Sequence, residues 1–237
     1  MDVLLRGARR LGFEIGENQV LLFQRYLQEL VEWNKNINLT TIIDSTEVQS
    51  KHFLDSLTVS SVMSKEVLAG GALIDIGSGA GFPGLPLKIV WPHLRVTLVE
   101  SVGKKVAFLR NIKDVLCLDG LDIHWQRAES LAHDHNLRGT FDIVTSRAVA
   151  SLSVLAELAL PFCKVGGKVI AMKKSGISDE IDRAETAISI LGGVLESVEV
   201  VDLDEIGESR WLIVLTKKAI SPPRYPRRPG TPARRPL

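Results

Sequence analysis

Residues 73–84 read Leu-Ile-Asp-Ile-Gly-Ser-Gly-Ala-Gly-Phe-Pro-Gly. A short apolar run enters four glycines within eight positions, Gly77, Gly79, Gly81 and Gly84. Residues without a Cβ reach positive φ and let other atoms approach the backbone closely. The segment therefore predicts a strand that turns sharply into a helix, with room for a ligand at the turn. Pro83 and Pro86 fit the first turn of that helix, where a missing backbone N–H does no harm.

The rest of the chain is consistent with that beginning. Phe23, Tyr26, Leu27, Leu30 and Val31 form one apolar stripe and predict a helix from about Glu17 to Trp33. After a polar turn, Thr46 is expected to cap a second helix carrying Val48, Phe53, Leu57 and Val62. Beyond Gly70–Gly71 strands and helices alternate. Strands are expected at Ala72–Ile76, Arg95–Glu100, Asp122–Gln126, Phe141–Ser146 and Lys168–Lys173. Helices are expected from Ser101, over about Val149 to Cys163 and over Asp179 to Leu191. Two last strands, near Ser197–Asp202 and Trp211–Leu215, lie too close in sequence for a helical crossover and should pair as an antiparallel hairpin. Alternation with apolar central strands means a mostly parallel sheet covered on both faces. The domain expectation is a helical cap over 1–70, an α/β domain over 71–218 and a basic proline-rich tail over 219–237. Six prolines in the last sixteen residues predict that this tail is extended.

What ligand the turn takes depends on its context. Gly79-x-Gly81-x-x-Gly84 fits the dinucleotide fingerprint. However, Gly77 already occupies the position directly after the strand, with Asp75 two residues before it. Asp-x-Gly-x-Gly-x-Gly is the methyltransferase form, in which no pyrophosphate needs a helix N-terminus, and Pro83 removes one N–H from that terminus. The expected fold is thus a Rossmann-like, seven-stranded class I methyltransferase sheet with an N-terminal helical cap, and the expected cofactor is S-adenosyl-L-methionine. The next strand ends in Glu100, 23 residues beyond Gly77, where a carboxylate can accept ribose hydroxyl protons.

Other candidates are weaker when taken singly. Ala128-Glu129 follows the third strand, where an adenine edge should lie, although a glutamate there is also an ordinary surface residue. Arg147 sits just past the fourth strand, placed to meet cofactor or substrate, or else to be a surface cation. Lys173 and Lys174 end the fifth strand and are candidates for phosphate contacts. His52 and Asp55 read as helix-surface residues.

Charge is unevenly spread. Residues 217–237 carry seven basic side chains and no acidic one; with a net charge of +1 overall, the first 216 residues stand at about −6. A mildly acidic body with a basic tail suits a polyanionic partner, though a solvated terminus would look the same. Cys117 and Cys163 have no metal spacing and read as buried free thiols, and no metal centre is expected. Neither a signal peptide nor an apolar membrane span is recognisable, so a cytoplasmic protein is expected. No amphipathic surplus demands a partner subunit, so a monomer is expected.

Three segments together are more specific: Trp33-Asn-Lys-Asn-Ile-Asn-Leu-Thr40, His52-Phe-Leu-Asp-Ser-Leu57 and Gly77-Ser-Gly-Ala-Gly-Phe-Pro-Gly-Leu-Pro-Leu87. With Ser146-Arg147-Ala148 and Tyr225-Pro-Arg-Arg-Pro-Gly-Thr-Pro232, they resemble the bacterial 16S ribosomal RNA guanine-N7 methyltransferase family, also called glucose-inhibited division protein B, over nearly the whole chain. The resemblance implies methyl transfer to N7 of one guanine in 16S rRNA or in an assembling small ribosomal subunit. It also implies that Gly77, Phe82, the Ala128-Glu129 pair and Arg147 line the S-adenosylmethionine site, to which the glycine turn and the end of the second strand add Gly79 and Glu100 as expected cofactor-binding residues. Arg147 and Lys173 become candidate substrate contacts, with no residue required as acid or base. Two readings compete: a nicotinamide-dependent oxidoreductase, and a non-catalytic RNA-binding protein on the same fold.

Overall fold

The computed structural model describes residues 1–147, 150–174 and 177–237. Ala148 of the Ser146-Arg147-Ala148 segment, and Val149, where a helix was expected to begin, lie outside the described residues. The strands among them are β1 (Ala72–Ile76), β2 (Arg95–Glu100), β3 (Leu121–Trp125), β4 (Phe141–Arg147), β5 (Cys163–Lys173), β6 (Gly193–Val201) and β7 (Arg210–Lys217). They form one sheet in the order β3-β2-β1-β4-β5-β7-β6. β1 to β5 run parallel, and β7 enters antiparallel between β5 and β6. The expected hairpin is present, and its second strand is the one that pairs with β5.

Side chains on successive strand residues point to opposite faces. Accordingly Leu73, Val96 and Leu98 enter one core, while Ile74, Ile76 and Val99 enter the other. The first core is covered by the N-terminal cap and the helices Gly84–Val90 and Gly103–Val115. The second is covered by the helices Leu152–Ala159 and Ile177–Ile190. The helix Glu17–Asn34 buries Phe23, Tyr26 and Leu30 completely, the stripe its spacing demands. Each such side chain contributes on the order of 1.5–3 kcal/mol when removed from water.

Several expectations are corrected. A helix spans Asp2–Arg10, where none was expected; Leu4 and Ala8 face the core, and Gly7 sits so close to Leu54 that a Cβ would collide with it. Asp44, not Thr46, caps the second cap helix: its Oδ1 accepts from the N–H groups of Thr46 and Glu47, both at 2.9 Å. That helix is mixed, α over Ser45–Val48, π over Gln49–Leu54, α again over Asp55–Leu57 and 3-10 over Thr58–Val62. Cys163 is buried at the start of β5, as expected, but Cys117 is exposed.

The tail is not extended. Tyr225 is buried in the second core, Ser221 and Pro232 are buried, and Thr231–Arg234 forms a helical turn. Proline excludes a long helix or a central strand. It does not exclude a segment that packs through turns whose backbone carbonyls are satisfied by side chains of the domain.

Candidate functional site

The parallel order reverses direction between β1 and β4, and ligands of such sheets bind outside the carboxyl ends of the strands near that point. Two cavities open there. The first, of about 200 Å³, lies over the ends of β1, β2 and β3 and is lined by Gly77, Val99, Ser101, Ala128, Glu129 and Gly230 among others. The second, of about 290 Å³, lies over the ends of β4 and β5 beneath the cap. His52, Asp55, Arg147, Met172, Lys173 and Arg210 line it.

The first cavity is shaped by the glycine turn. Gly77 has φ +70°, which a side chain would strain, and its N–H and that of Ser78 both donate to the Val99 carbonyl. Gly84 permits the close approach of its helix to the sheet: a Cβ there would lie 2.5 Å from Leu98 Cδ2 and 3.1 Å from Asp75 Oδ2. Asp75 is fully buried and accepts the Gly84 N–H at 3.0 Å through Oδ2. Burial raises its carboxyl to about 7. It serves the turn from within and does not line the cavity.

Glu100 is employed in the same way. Its Oε2 accepts the Gly79 N–H at 2.9 Å, and its Oε1 accepts those of Ser101 at 2.7 Å and Val102 at 2.8 Å. A carboxylate expected to accept ribose hydroxyls is thus 6% exposed and engaged by three backbone amides, joining the β1 loop to the start of the next helix. The helix begins at Gly103 rather than Ser101, because Val102 is still extended, with ψ 110°. Gly77, Ala128 and Glu129 line the first cavity; Gly79, Phe82, Glu100 and Arg147 do not. Glu129 also does not stand alone: its Oε1 accepts the N–H of Gly230 from the tail at 3.0 Å.

Phe82 lies in the partition between turn and cap. Its ring stacks on His52 at 4.6 Å and on Tyr26 at 5.5 Å, and the Arg147 guanidinium lies 4.9 Å from its centroid. The Tyr26 hydroxyl donates to the Ala80 carbonyl within the glycine turn. The cap therefore braces the turn directly.

In the second cavity His52 and Asp55 are not the surface residues expected; they are 7% and 4% exposed. Asp55 accepts from Arg147 Nη1 at 3.1 Å through one oxygen and from Arg210 Nε through the other. Arg147 Nη1 also donates to the Lys51 carbonyl at 3.1 Å, and Arg210 Nη2 to Glu208 at 2.9 Å. Removing either partner of such a buried pair strands a charge. His52 Nε2 lies 2.7 Å from the Thr40 hydroxyl and Nδ1 3.0 Å from the Lys51 carbonyl. Burial, and then the charge of Arg147, lowers its pKa to about 4, so it is neutral at pH 7. Asn34 accepts the N–H groups of Leu39 and Thr40 and donates to the Thr40 carbonyl, which fixes the loop that delivers Thr40 to His52. Lys173 lines the cavity but is tied down: Nζ donates to the Ala150 carbonyl at 2.6 Å and to Glu180 at 2.7 Å. Lys174 pairs with Glu208 at 3.1 Å.

Sequence reasoning missed Tyr26, Arg210 and Gly230 as parts of this region. Tyr26 is indistinguishable from its neighbours in an apolar stripe, and Arg210 opens the apolar strand β7 with no pattern to mark it. Gly230, between prolines and arginines, had only its glycine as a signal; its φ of +78° explains that choice. No group of three or more His, Cys, Asp or Glu able to hold a metal ion occurs among the described residues.

Comparison with known proteins agrees with this geometry. Among curated relatives, the ribosomal RNA small subunit methyltransferase G of Roseiflexus sp. (strain RS-1) is 49% identical over 237 residues, covering 100% of both chains. That of Dehalococcoides mccartyi (strain CBDB1) is 46% identical over 241 residues, again covering 100% of both. Solved structures at low identity share the fold. M. jannaschii TYW2 in complex with AdoMet has TM-score 0.53 and 15% identity, covering 74% of this chain and 76% of that one. A mutant of MtNAS in complex with S-adenosylmethionine has TM-score 0.56 and 16% identity, covering 84% and 72%. The sequence profile described as rRNA small subunit methyltransferase G matches residues 19–206. With that match and full-length relatives near one-half identity, the chain belongs to the rRNA small subunit methyltransferase G family.

Proposed function

We propose that this protein transfers a methyl group from S-adenosyl-L-methionine to N7 of a guanine in 16S ribosomal RNA, presented as RNA or as an assembling small subunit in the cytoplasm. The observation that carries this reading is the pair of cavities on either side of the β1–β4 switch point. One is lined by the glycine turn and an acceptor carboxylate, the other by guanidinium groups. No helix among the described residues is long and apolar enough to cross a membrane.

The residues of the first cavity fit an adenosyl cofactor. Gly77 lines it with a backbone at φ +70° that a side chain would strain, and Glu129 and the backbone of Ala128 offer polar groups where an adenine edge would lie. Gly77, Ala128 and Glu129 would hold it, with Gly79 and Glu100 shaping the turn and Phe82 and Arg147 forming the partition. When bound, S-adenosylmethionine supplies a methyl group on a positively charged sulfur.

The second cavity suits the base. Guanine N7 has an in-plane lone pair and no proton at neutral pH, so its attack on a methyl group needs no general base. The site is consistent with that: His52 is neutral and held by Thr40 and the Lys51 carbonyl, and Asp55 is occupied by two arginines. What these residues do is position and exclude water. Arg147, anchored by Asp55 and the Lys51 carbonyl, presents its guanidinium at the mouth. Lys173 holds the chain after β4 through the Ala150 carbonyl, and Lys174 adds charge suited to phosphate. Reaching N7 in folded RNA requires an unpaired or extruded guanine.

Calorimetric titration tests the cofactor half of the reading. S-adenosylhomocysteine is expected to give a saturable one-to-one isotherm and NADH none. A saturable NADH isotherm without S-adenosylhomocysteine binding would favour the oxidoreductase reading.

A further inference from the structure

The C-terminal segment is fastened by groups that methyl transfer does not use. Glu157, on the helix Leu152–Ala159, has no exposure. Its carboxylate is gripped by a single residue of the tail, Arg227. The Arg227 backbone N–H and Nε each donate to Oε1 at 2.8 Å, Nε also reaches Oε2 at 3.1 Å, and Nη2 donates to Oε2 at 2.6 Å. Arg138 adds bonds to the carbonyls of Ser221 at 3.1 Å, Pro222 at 3.2 Å and Tyr225 at 2.9 Å, and His133 Nε2 meets the Pro226 carbonyl at 2.9 Å.

A buried carboxylate is tolerated only when paired and hydrogen-bonded, so Glu157 makes the docked tail the favoured arrangement. Three residues beyond Arg227, the Gly230 N–H donates to Glu129 Oε1, while Glu129 Oε2 has no hydrogen-bond partner among the described residues. Gly230, Pro232 and Ala233 themselves line the first cavity beside Gly77 and Ala128. The tail is therefore part of that cavity's wall, and it orients the carboxylate that the ligand meets.

We infer that the docked C-terminal segment is a built-in wall of the cofactor site, with Glu157 and Arg227 as positioning residues that hold Gly230 against Glu129. Glu129 is thereby turned so that its second oxygen is left for a donor on the ligand, such as the amino group of adenine. The inference rests on the cofactor reading above. Linkage makes the effect reciprocal: if the tail completes the site, the ligand must hold the tail down.

Two measurements on the full chain test this. In hydrogen exchange followed by mass spectrometry, saturating S-adenosylhomocysteine is expected to slow exchange over residues 225–235 at least fivefold; unchanged exchange there would overturn the inference. In steady-state assays, Arg227→Ala is expected to raise the cofactor KM tenfold or more while kcat at saturating cofactor stays within twofold, with Arg227→Lys in between. An unaltered cofactor KM, or a loss of kcat alone, would also overturn it. Should Arg227→Ala fail to fold, the exchange measurement on the parent still decides. A parent that does not bind S-adenosylhomocysteine at all contradicts the proposed function instead. A parent that binds it with an indifferent tail contradicts only the wall.

Discussion

At the scale of single residues, the environment of His52 sets a pH dependence that can be measured. Its ring is enclosed by Phe82, Thr40, the Lys51 carbonyl and the Arg147 guanidinium, and its pKa falls from 6.5 to about 4. Between those values the unfolded chain binds more protons than the folded one, so this residue's contribution to stability is lost as pH falls from about 6.5 to 4. The full loss is on the order of 3 kcal/mol. Asp75 acts in the opposite sense: its carboxyl is raised from 3.8 to about 7, so it favours the fold at low pH and loses that contribution as pH rises through this range. The two are separated by comparing the parent with His52→Gln, in which Asp75 is unchanged. Denaturant titrations at pH 7 and pH 4.5 are expected to show the parent losing roughly 2 kcal/mol more than the variant. Equal losses would contradict the buried neutral imidazole. The place of Arg147 at a strand end was legible, whereas the burial of His52 and Asp55 was not. The spacing of five from Val48 to Phe53 is the trace of the π turn, which rotates every following residue off the face that α periodicity assigns.

At the scale of elements, the strand–turn–helix at β1 is held by two buried carboxylates and one missing Cβ. β1 and β2 were legible to the residue, because β1 is a short run enclosed by Gly71 and Gly77 and β2 is an apolar run with a charged residue at each end, Arg95 and Glu100. What was not legible is the second task of Glu100, the clamping of Gly79, Ser101 and Val102 through their backbone amides, because sequence position alone does not place those N–H groups. Gly84 tests the packing. Gly84→Ala would force a methyl group between Leu98 and Asp75 and is expected to cost about 1–3 kcal/mol. Urea denaturation measures it, and a stability within about 0.5 kcal/mol of the parent would contradict the close approach described here. The tail escaped sequence reasoning for a related reason. Proline content says which regular structures are forbidden, but the partners that fold the segment, Glu157 and Arg138, lie far away in the chain.

At the scale of the whole molecule, a body of about −6 carries a basic segment folded beside one cavity. Of the tail arginines, Arg227 is consumed by Glu157, while Arg224, Arg228, Arg234 and Arg235 are exposed and form no salt bridge among the described residues. These four flank the wall formed by Gly230 and Ala233. In the proposed function they lie where an RNA backbone would run. Replacing all four with alanine is expected to make the salt dependence of rRNA binding shallower by up to about 3.6 in log–log slope, each lost phosphate contact being worth roughly 0.7–0.9. An unchanged slope would remove the tail from the RNA interface.

The central claim is the transfer itself, and the direct measurement is transfer of a labelled methyl group from S-adenosylmethionine to 16S rRNA and to the small subunit, followed by mapping of the modified base. One labelled guanine, methylated at N7, is the expected result, with a rate that shows no step attributable to a titrating catalytic base. Label on another atom or base, or none on either substrate with S-adenosylmethionine bound, would contradict the account.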